Sequence, residues 1–334
     1  MTTSLIDNAM AKQPLGRTIS EQLELVVAIF ENHLASESDD VNSLCRHLER
    51  YRGKMLRPAL VLISGLAATG SDSEEGITER HRVLAAVVEM IHMATLVHDD
   101  ILDESDVRRG GVTINALSGN DVAVMLGDYL ISKSFHLCST LGDPLINLAL
   151  GEVTNTLCEG EVIQLHRRDD INLSEQTYLD IVRRKTGSLI GACCRLGGVI
   201  SGVDEEKYTA LESFGTNVGT AFQIKDDLLD LIGDSKTIGK TVGRDLDLGK
   251  LTLPLIRLRM SLNHEDRNIF DQAVQARDRA QLQDLMDLSN PLESTIASAN
   301  ELVNAAKEQL RVLPRGPAVD LMLDLADGVI NRNA

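Results

Sequence analysis

The sequence predicts an all-α protein, and three observations carry that expectation. Helical periodicity runs nearly from end to end, and no stretch alternates apolar and polar residues for long enough to make a strand. Leu, Ala, Ile, Val and Glu dominate, while aromatics make up only 3% and Trp is absent. At 334 residues and 43% hydrophobic content, the chain can bury a sizeable core. No Pro/Ser-rich linker divides it, so we expect a single domain over 17–334 behind a flexible N-terminus of residues 1–16. That domain reads as a bundle of about 10–13 helices.

Thr18 with Glu21 reads as a capping box, followed by a stripe of Leu23, Val26, Phe30 and Leu34. Further helices are expected over about 41–50, 55–69, 79–104, 119–141, 145–167, 174–201, 204–232, 251–262, 265–288, 292–312 and 316–331. Turn chemistry separates them at Gly70-Ser71-Asp72-Ser73, Gly110-Gly111, Gly142-Asp143-Pro144 and the long stretch from Gly233 to Gly249. Segments 79–104 and 204–232 are apolar around most of their circumference, which predicts two central, buried helices. Gly187, Gly191, Gly197 and Gly198 permit close backbone approach along a third.

Composition excludes several classes. A net charge of −17 opposes nucleic-acid binding, whose footprint is basic. The five cysteines (Cys45, Cys138, Cys158, Cys193 and Cys194) lack CxxC spacing, which argues against a disulfide framework or a zinc site and fits a reducing cytoplasm. No apolar run is long enough to span a membrane, and the first residues lack the apolar core of a secretory signal.

The most informative feature is a repeated pattern, Asp99-Asp100-Ile101-Leu102-Asp103 and Asp226-Asp227-Leu228-Leu229-Asp230, each inside one of the two central helices. Residues four apart share a helix face, so Asp99 pairs with Asp103 and Asp226 with Asp230. Like charges so placed repel, and burying them uncompensated is costly. Oxygen ligands of this kind favour Mg²⁺, which keeps several waters and usually binds substrate phosphates as well. His92 shares the face of Asp99 and Asp103, and Arg108 and Arg109 follow where that helix should end. Carboxylates beside arginines suit a diphosphate, with metal bridging to some oxygens and guanidinium forks taking the rest. After the second cluster, Gly239-Lys240-Thr241-Val242-Gly243-Arg244-Asp245-Leu246-Asp247-Leu248-Gly249-Lys250 sets Lys240 and Lys250 to swing over whatever the aspartates hold. Lys54 and Arg57 in Gly53-Lys54-Met55-Leu56-Arg57-Pro58 form a third basic element, and Lys185-Thr186 a weaker fourth.

Together these segments resemble the trans-isoprenyl diphosphate synthases, or polyprenyl synthetases, over roughly residues 50–260. The resemblance rests on two DDxxD motifs, the first followed by Arg108-Arg109-Gly110 and the second preceded by Phe222-Gln223 and followed by the Gly-Lys segment through Leu251-Thr252-Leu253-Pro254. One departure is Arg52-Gly53-Lys54-Met55, where the family commonly has Gly-Gly-Lys-Arg. The resemblance implies the isoprenoid synthase fold, helices around a central cavity, usually as a homodimer. It implies that Asp99, Asp103 and Asp226 hold about three Mg²⁺ on an allylic diphosphate, with Asp100, Asp227 and Asp230 as further ligands or their neighbours. Arg108, Lys185, Lys240 and Lys250 would take the remaining charge. Lys54, Arg57, His92 and Arg109 match the family's isopentenyl diphosphate site, while Gln223 and Thr186 would stabilise the allylic cation by their dipoles. His98 reads equally as a neighbour of Asp99 or as a satisfied core histidine.

In this family, bulk just before the first aspartates stops the growing chain. Here Ala94 and Thr95 are small, so the cavity is expected to deepen toward Ile91, Met90 and Val87. This favours a long all-trans product, hexaprenyl to decaprenyl, over farnesyl or geranylgeranyl diphosphate. The rivals are a terpene cyclase, which would want an NSE-type second motif and aromatic walls, and a non-catalytic subunit of a heteromeric synthase, which would be expected to lose the aspartates this chain keeps.

Overall fold

The computed structural model describes residues 5–11, 13, 15–48, 53–232, 243–288 and 291–331, and they are helical nearly throughout. In chain order the helices are α1 (Leu5–Met10), α2 (Leu15–Leu34), α3 (Asp39–Leu48), α4 (Leu56–Thr69), α5 (Glu79–Leu102), α6 (Ile114–Ser118), α7 (Asn120–Ser139), α8 (Pro144–His166) and α9 (Glu175–Val182). They continue with α10 (Ser188–Ile200), α11 (Glu205–Ile232), α12 (Arg244–Asp247), α13 (Leu253–Ser261), α14 (His264–Ala276), α15 (Arg279–Leu288), α16 (Pro291–Gln309) and α17 (Pro317–Ile330). The only strands among the described residues are β1 (Val107–Arg108) and β2 (Gly111–Val112), paired antiparallel with Arg108 opposite Gly111. Two-residue strands are too short to carry an alternation, so the sequence pattern gives no sign of them.

The chain groups into two units. The first comprises Met1–Thr154, Ala192–Glu212 and Leu310–Leu325. Its centre is α5, which packs against α7, α4 and α2 and buries an almost unbroken run from Leu84 to Ile91. The start of α5 is fixed by Thr78, whose hydroxyl oxygen lies 2.9 Å from His81 Nδ1. Close approach of α10 to α4 needs Gly197, where a Cβ would fall 2.3 Å from the Val61 carbonyl oxygen. Helix α2 begins at Leu15, ahead of the expected cap at Thr18. Glu21, expected to complete the capping box, instead pairs with Arg17 at 3.0 Å along the helix surface. Its stripe of Leu23, Val26, Phe30 and Leu34 is buried. Helix α1 lies within the stretch expected to be a tail, with Ile6 and Ala9 buried.

The second unit comprises Asn155–Gly191, Ser213–Gln309 and Ala326–Ala334. No residue of α11 from Ser213 to Leu231 is exposed, as expected of a central helix. The helix anticipated over 174–201 is interrupted by a π turn, Arg183–Gly187, in which the Ser188 N–H donates to the Arg183 carbonyl. This turn accommodates an extra residue and sets Gly187 against α11, where a Cβ on Gly219 would stand 3.0 Å from the Gly187 Cα. The helix anticipated over 265–288 breaks at Arg277, which adopts φ 57°. Glycine usually takes such a position, so no sequence signal marks the break.

Candidate active site

The first unit carries one acidic helix end and one cluster of cations. Asp99 and Asp103 lie half-buried at the C-terminus of α5, and the Asp103 N–H closes the helix on the Asp99 carbonyl at 2.8 Å. Asp100 turns inward, only 1% exposed, and accepts from Arg108 Nε at 2.8 Å. The chain returns to make this contact because Ser105 N–H bonds the Asp100 carbonyl at 2.8 Å, and Thr113 Oγ1 then donates to the Ser105 carbonyl at 2.7 Å. Between the strands, Arg109 at φ 51° and Gly110 at φ 77° give the two consecutive positive angles of a type I′ turn. Arg108 and Arg109 therefore diverge. The Arg109 guanidinium rests over Gly53, where a Cβ would meet its Nη1 at 2.6 Å.

That contact brings Arg109 to the turn carrying Lys54 and Arg57. Burial lowers the Arg57 guanidinium from its ordinary value, and the strongest opposing charge is Glu89, 2% exposed on α5. Arg57 Nε is buried without an acceptor among the described residues. Burial holds His92 well below its usual 6.5, and the positive charges of Arg57, Arg109 and Arg108 push it further. Three of the four residues expected at a metal-free diphosphate site, Arg57, His92 and Arg109, thus come together, with the histidine held neutral. Lys54 sits on the same turn, exposed, with its ammonium 2.8 Å from Asp7 of α1. Glu89 was not among the expected residues. Its signal is a carboxylate one turn before His92, inside the apolar stretch of α5 from Val83 to Ile91.

Ala94 and Ile91 are fully buried, along a stripe that ends in His98. His98 packs on α7, its Nε2 3.2 Å from the Val124 carbonyl oxygen and 2.1 Å from where a Cβ on Gly127 would stand. Thr95 is half-buried on the neighbouring face and donates to the His92 carbonyl at 2.8 Å.

The second unit carries the other acidic end. Asp227 is 8% exposed and accepts from the Tyr178 hydroxyl at 2.6 Å and from Gln223 Nε2 at 2.8 Å. Gln223 Oε1 accepts in turn from Thr186 Oγ1 at 3.0 Å. Asp230 faces the start of α12, its carboxylate accepting from the backbone N–H of Asp245 at 3.0 Å and of Arg244 at 3.3 Å. Burial raises Asp227 to about 6 against the two hydrogen bonds, with Asp226 adding repulsion and Lys250 opposing it. Asp245 is raised well above its usual range, first by burial and then by Asp227 and Asp230. Lys250 stands in the field of this cluster, and its N–H bonds the Asp245 carbonyl at 2.8 Å. Lys185 pairs with Glu161 and donates to Gln164, both on α8. Lys240 lies outside the described residues. Tyr178 and Asp245 were not anticipated; a tyrosine in a helix gives no signal, whereas Asp245 sits inside the Gly-Lys segment already singled out.

The acidic cluster fits a divalent cation. Its donors are all oxygens, and beyond burial the neighbouring carboxylates raise one another, a repulsion that a bound cation would relieve. Among the described residues no three His, Cys, Asp or Glu side chains converge into a ready-made cage. Mg²⁺ is typically bound by one or two carboxylates plus substrate phosphates, and does not need one.

The protein has relatives over nearly its whole length, and solved structures share its fold. A polyprenyl synthetase family model matches residues 38–290. The octaprenyl diphosphate synthase of Escherichia coli (strain K12) is 33% identical over 328 residues, covering 97% of this chain and all of that protein. A decaprenyl diphosphate synthase from Rhodobacter capsulatus superposes with a TM-score of 0.88 at 35% identity, covering 95% of this chain and 98% of the other. A polyprenyl synthase from Caulobacter crescentus CB15, complexed with calcium and isoprenyl diphosphate, gives a TM-score of 0.87 at 32% identity, covering 96% and 97%. The fold, the paired aspartate motifs and the extent of these matches agree: the chain belongs to the polyprenyl synthetase family and is a prenyltransferase.

Proposed function

We propose that this enzyme condenses an allylic diphosphate with isopentenyl diphosphate to give an all-trans polyprenyl diphosphate of hexaprenyl to decaprenyl length. The observation that carries the proposal is the chemical division between the two kinds of site. The Arg57–His92–Arg109 cluster is cationic and can hold a diphosphate without metal, whereas the aspartate ends are suited to one held through metal.

Asp99, Asp103 and Asp226 would hold about three Mg²⁺ on the allylic diphosphate. When bound, the metal neutralises the leaving group. Lys250, and with it Arg108, Lys185 and Lys240, takes the remaining negative charge as the C–O bond ionises. Gln223 and Thr186 present oxygen atoms whose partial charge favours the allylic cation. Lys54, Arg57 and Arg109 bind the diphosphate of isopentenyl diphosphate, with neutral His92 as a hydrogen-bond donor. The alkene attacks the cation, and the released diphosphate removes the proton. No side-chain nucleophile is required.

Long products are supported by the small side chains at Ala94 and Thr95 and by the octaprenyl and decaprenyl relatives. A homodimer is supported by large apolar side chains left exposed on α7 and α8, Met125 at 64% and Leu145 at 74%. The five free cysteines support a cytoplasmic location. Incubation with Mg²⁺, farnesyl diphosphate and labelled isopentenyl diphosphate tests the reaction and gives product length by chromatography. No incorporation, or incorporation indifferent to Asp99→Ala, rejects the proposal; farnesyl or geranylgeranyl products reject the length.

A further inference from the structure

We infer that Tyr178 is a positioning residue for prenyl transfer, setting through Asp227 the direction of the Gln223 amide dipole. The inference rests on the reaction proposed above and deepens its cation-stabilising step. The four groups form one chain of hydrogen bonds within the second unit: Tyr178 OH to Asp227 Oδ2 at 2.6 Å, Gln223 Nε2 to Asp227 Oδ1 at 2.8 Å, and Thr186 Oγ1 to Gln223 Oε1 at 3.0 Å. Both Asp227 oxygens accept, one from Tyr178 and the other from the NH₂ end of Gln223. The carbonyl end is then turned to Thr186, whose hydroxyl supplies the matching donor. Reversing the amide would set two acceptors 2.8 Å apart at Asp227 and would put the positive end of the amide where its oxygen now lies.

Asp227 enforces this only if its own carboxylate cannot rotate. Tyr178, itself 4% exposed on α9, supplies the bond that pins the second oxygen. With one oxygen on Tyr178 and the other on Gln223, Asp227 orients an amide, and Asp226 beside it is left as the metal ligand of the pair. No other hydroxyl or N–H donates to Asp227 among its side-chain hydrogen bonds in the described residues.

The test is a double-mutant cycle of Tyr178→Phe with Gln223→Met, assayed with Mg²⁺, farnesyl diphosphate and isopentenyl diphosphate. Tyr178→Phe should lower kcat about 10- to 100-fold, as loss of one preorganised polar contact does, and leave both KM values within about threefold. In the Gln223→Met background the same substitution should change kcat by less than about twofold, because its route is already cut. Calorimetric binding of inorganic diphosphate with Mg²⁺ should be the same for Tyr178→Phe as for the wild type. An additive cycle, an unchanged kcat, or diphosphate binding weakened more than about threefold overturns the inference; the last would make Asp227 a metal ligand supported by Tyr178. Should Tyr178→Phe fail to fold, Thr186→Val releases the same amide from its other end and must show the same loss of kcat. A wild type without turnover rejects the reaction itself, whereas turnover with an additive cycle rejects only Tyr178.

Discussion

Arg108 reaches back across a tight hairpin to place its Nε 2.8 Å from Asp100 Oδ1, binding the middle aspartate of the first motif to the arginine pair that follows it. The carboxylate is buried and the guanidinium three-quarters so. Removing one partner of such a pair leaves a charge with little solvent. Arg108→Met is therefore expected to lower stability by about 3 kcal/mol. Adding Asp100→Leu should recover part of that loss. Urea unfolding of the single and double variants measures both, and a neutral single variant would show the contact to be dispensable.

His92 makes stability depend on pH in a direction fixed by its environment. Its folded pKa is depressed, so the unfolded chain takes up a proton near 6.5 that the folded chain refuses. Stability is full above that pH and falls below it, by up to about 1.4 kcal/mol per pH unit. His92→Gln keeps a hydrogen-bonding side chain and removes the titration. The difference between wild type and variant in urea midpoint should therefore shrink or reverse on going from neutral to mildly acidic buffer.

Asp230 acts on the loop behind it. Its carboxylate accepts the N–H groups at the start of α12, and that short helix leads into Lys250. Asp230→Ala should cost about 1 kcal/mol, the usual loss for a helix cap. It should also raise KM for the allylic substrate severalfold while leaving KM for isopentenyl diphosphate unchanged. Equal effects on both would place the role of Asp230 elsewhere.

Ala94→Phe brings a ring into the buried stripe that meets α7. Shorter products are expected, with a stability loss of about 1–3 kcal/mol from overpacking. Product chromatography and thermal unfolding report the two separately. An unchanged product length would remove Ala94 as a stop.

Chelation with EDTA should abolish turnover, and added Mg²⁺ should restore it. Inorganic diphosphate should still bind weakly to the chelated protein through Arg57 and Arg109. Loss of that residual binding in Arg57→Met but not in Asp226→Ala would separate the two kinds of site.

Much of this was legible in the sequence because buried charge is rare and patterned. The two aspartate repeats, the double arginine and the Gly-Lys segment announce chemistry by their residue types, and the long apolar segments announce central helices. What escaped has a common physical reason. Tyr178 and Glu89 act through partners far away in the sequence, Asp227 and Arg57, and no local spacing encodes such contacts. The break at Arg277 uses a left-handed residue that is not glycine, and the start of α2 precedes its apparent cap, so in both places the local signal was outweighed. Lys185 was legible as a conspicuous lysine, yet its ammonium is directed to Glu161 and Gln164 on α8.

The π turn at Arg183–Gly187 has a bearing on how this chain can vary in length. Tyr178 and Thr186 are eight positions apart, and on an unbroken α-helix they would point roughly 80° away from each other. The wider turn retards the helical phase, so that both reach the same stretch of α11, at Asp227 and Gln223. Deleting Arg184 would restore ordinary helical phase and leave the two residues seven apart, about 20° from alignment, so Tyr178 would keep its carboxylate. One inserted residue would turn it away, although every functional residue would still be present. In that segment register matters as well as the identity of Lys185 and Thr186, and a one-codon deletion at Arg184 should be tolerated where an insertion is not.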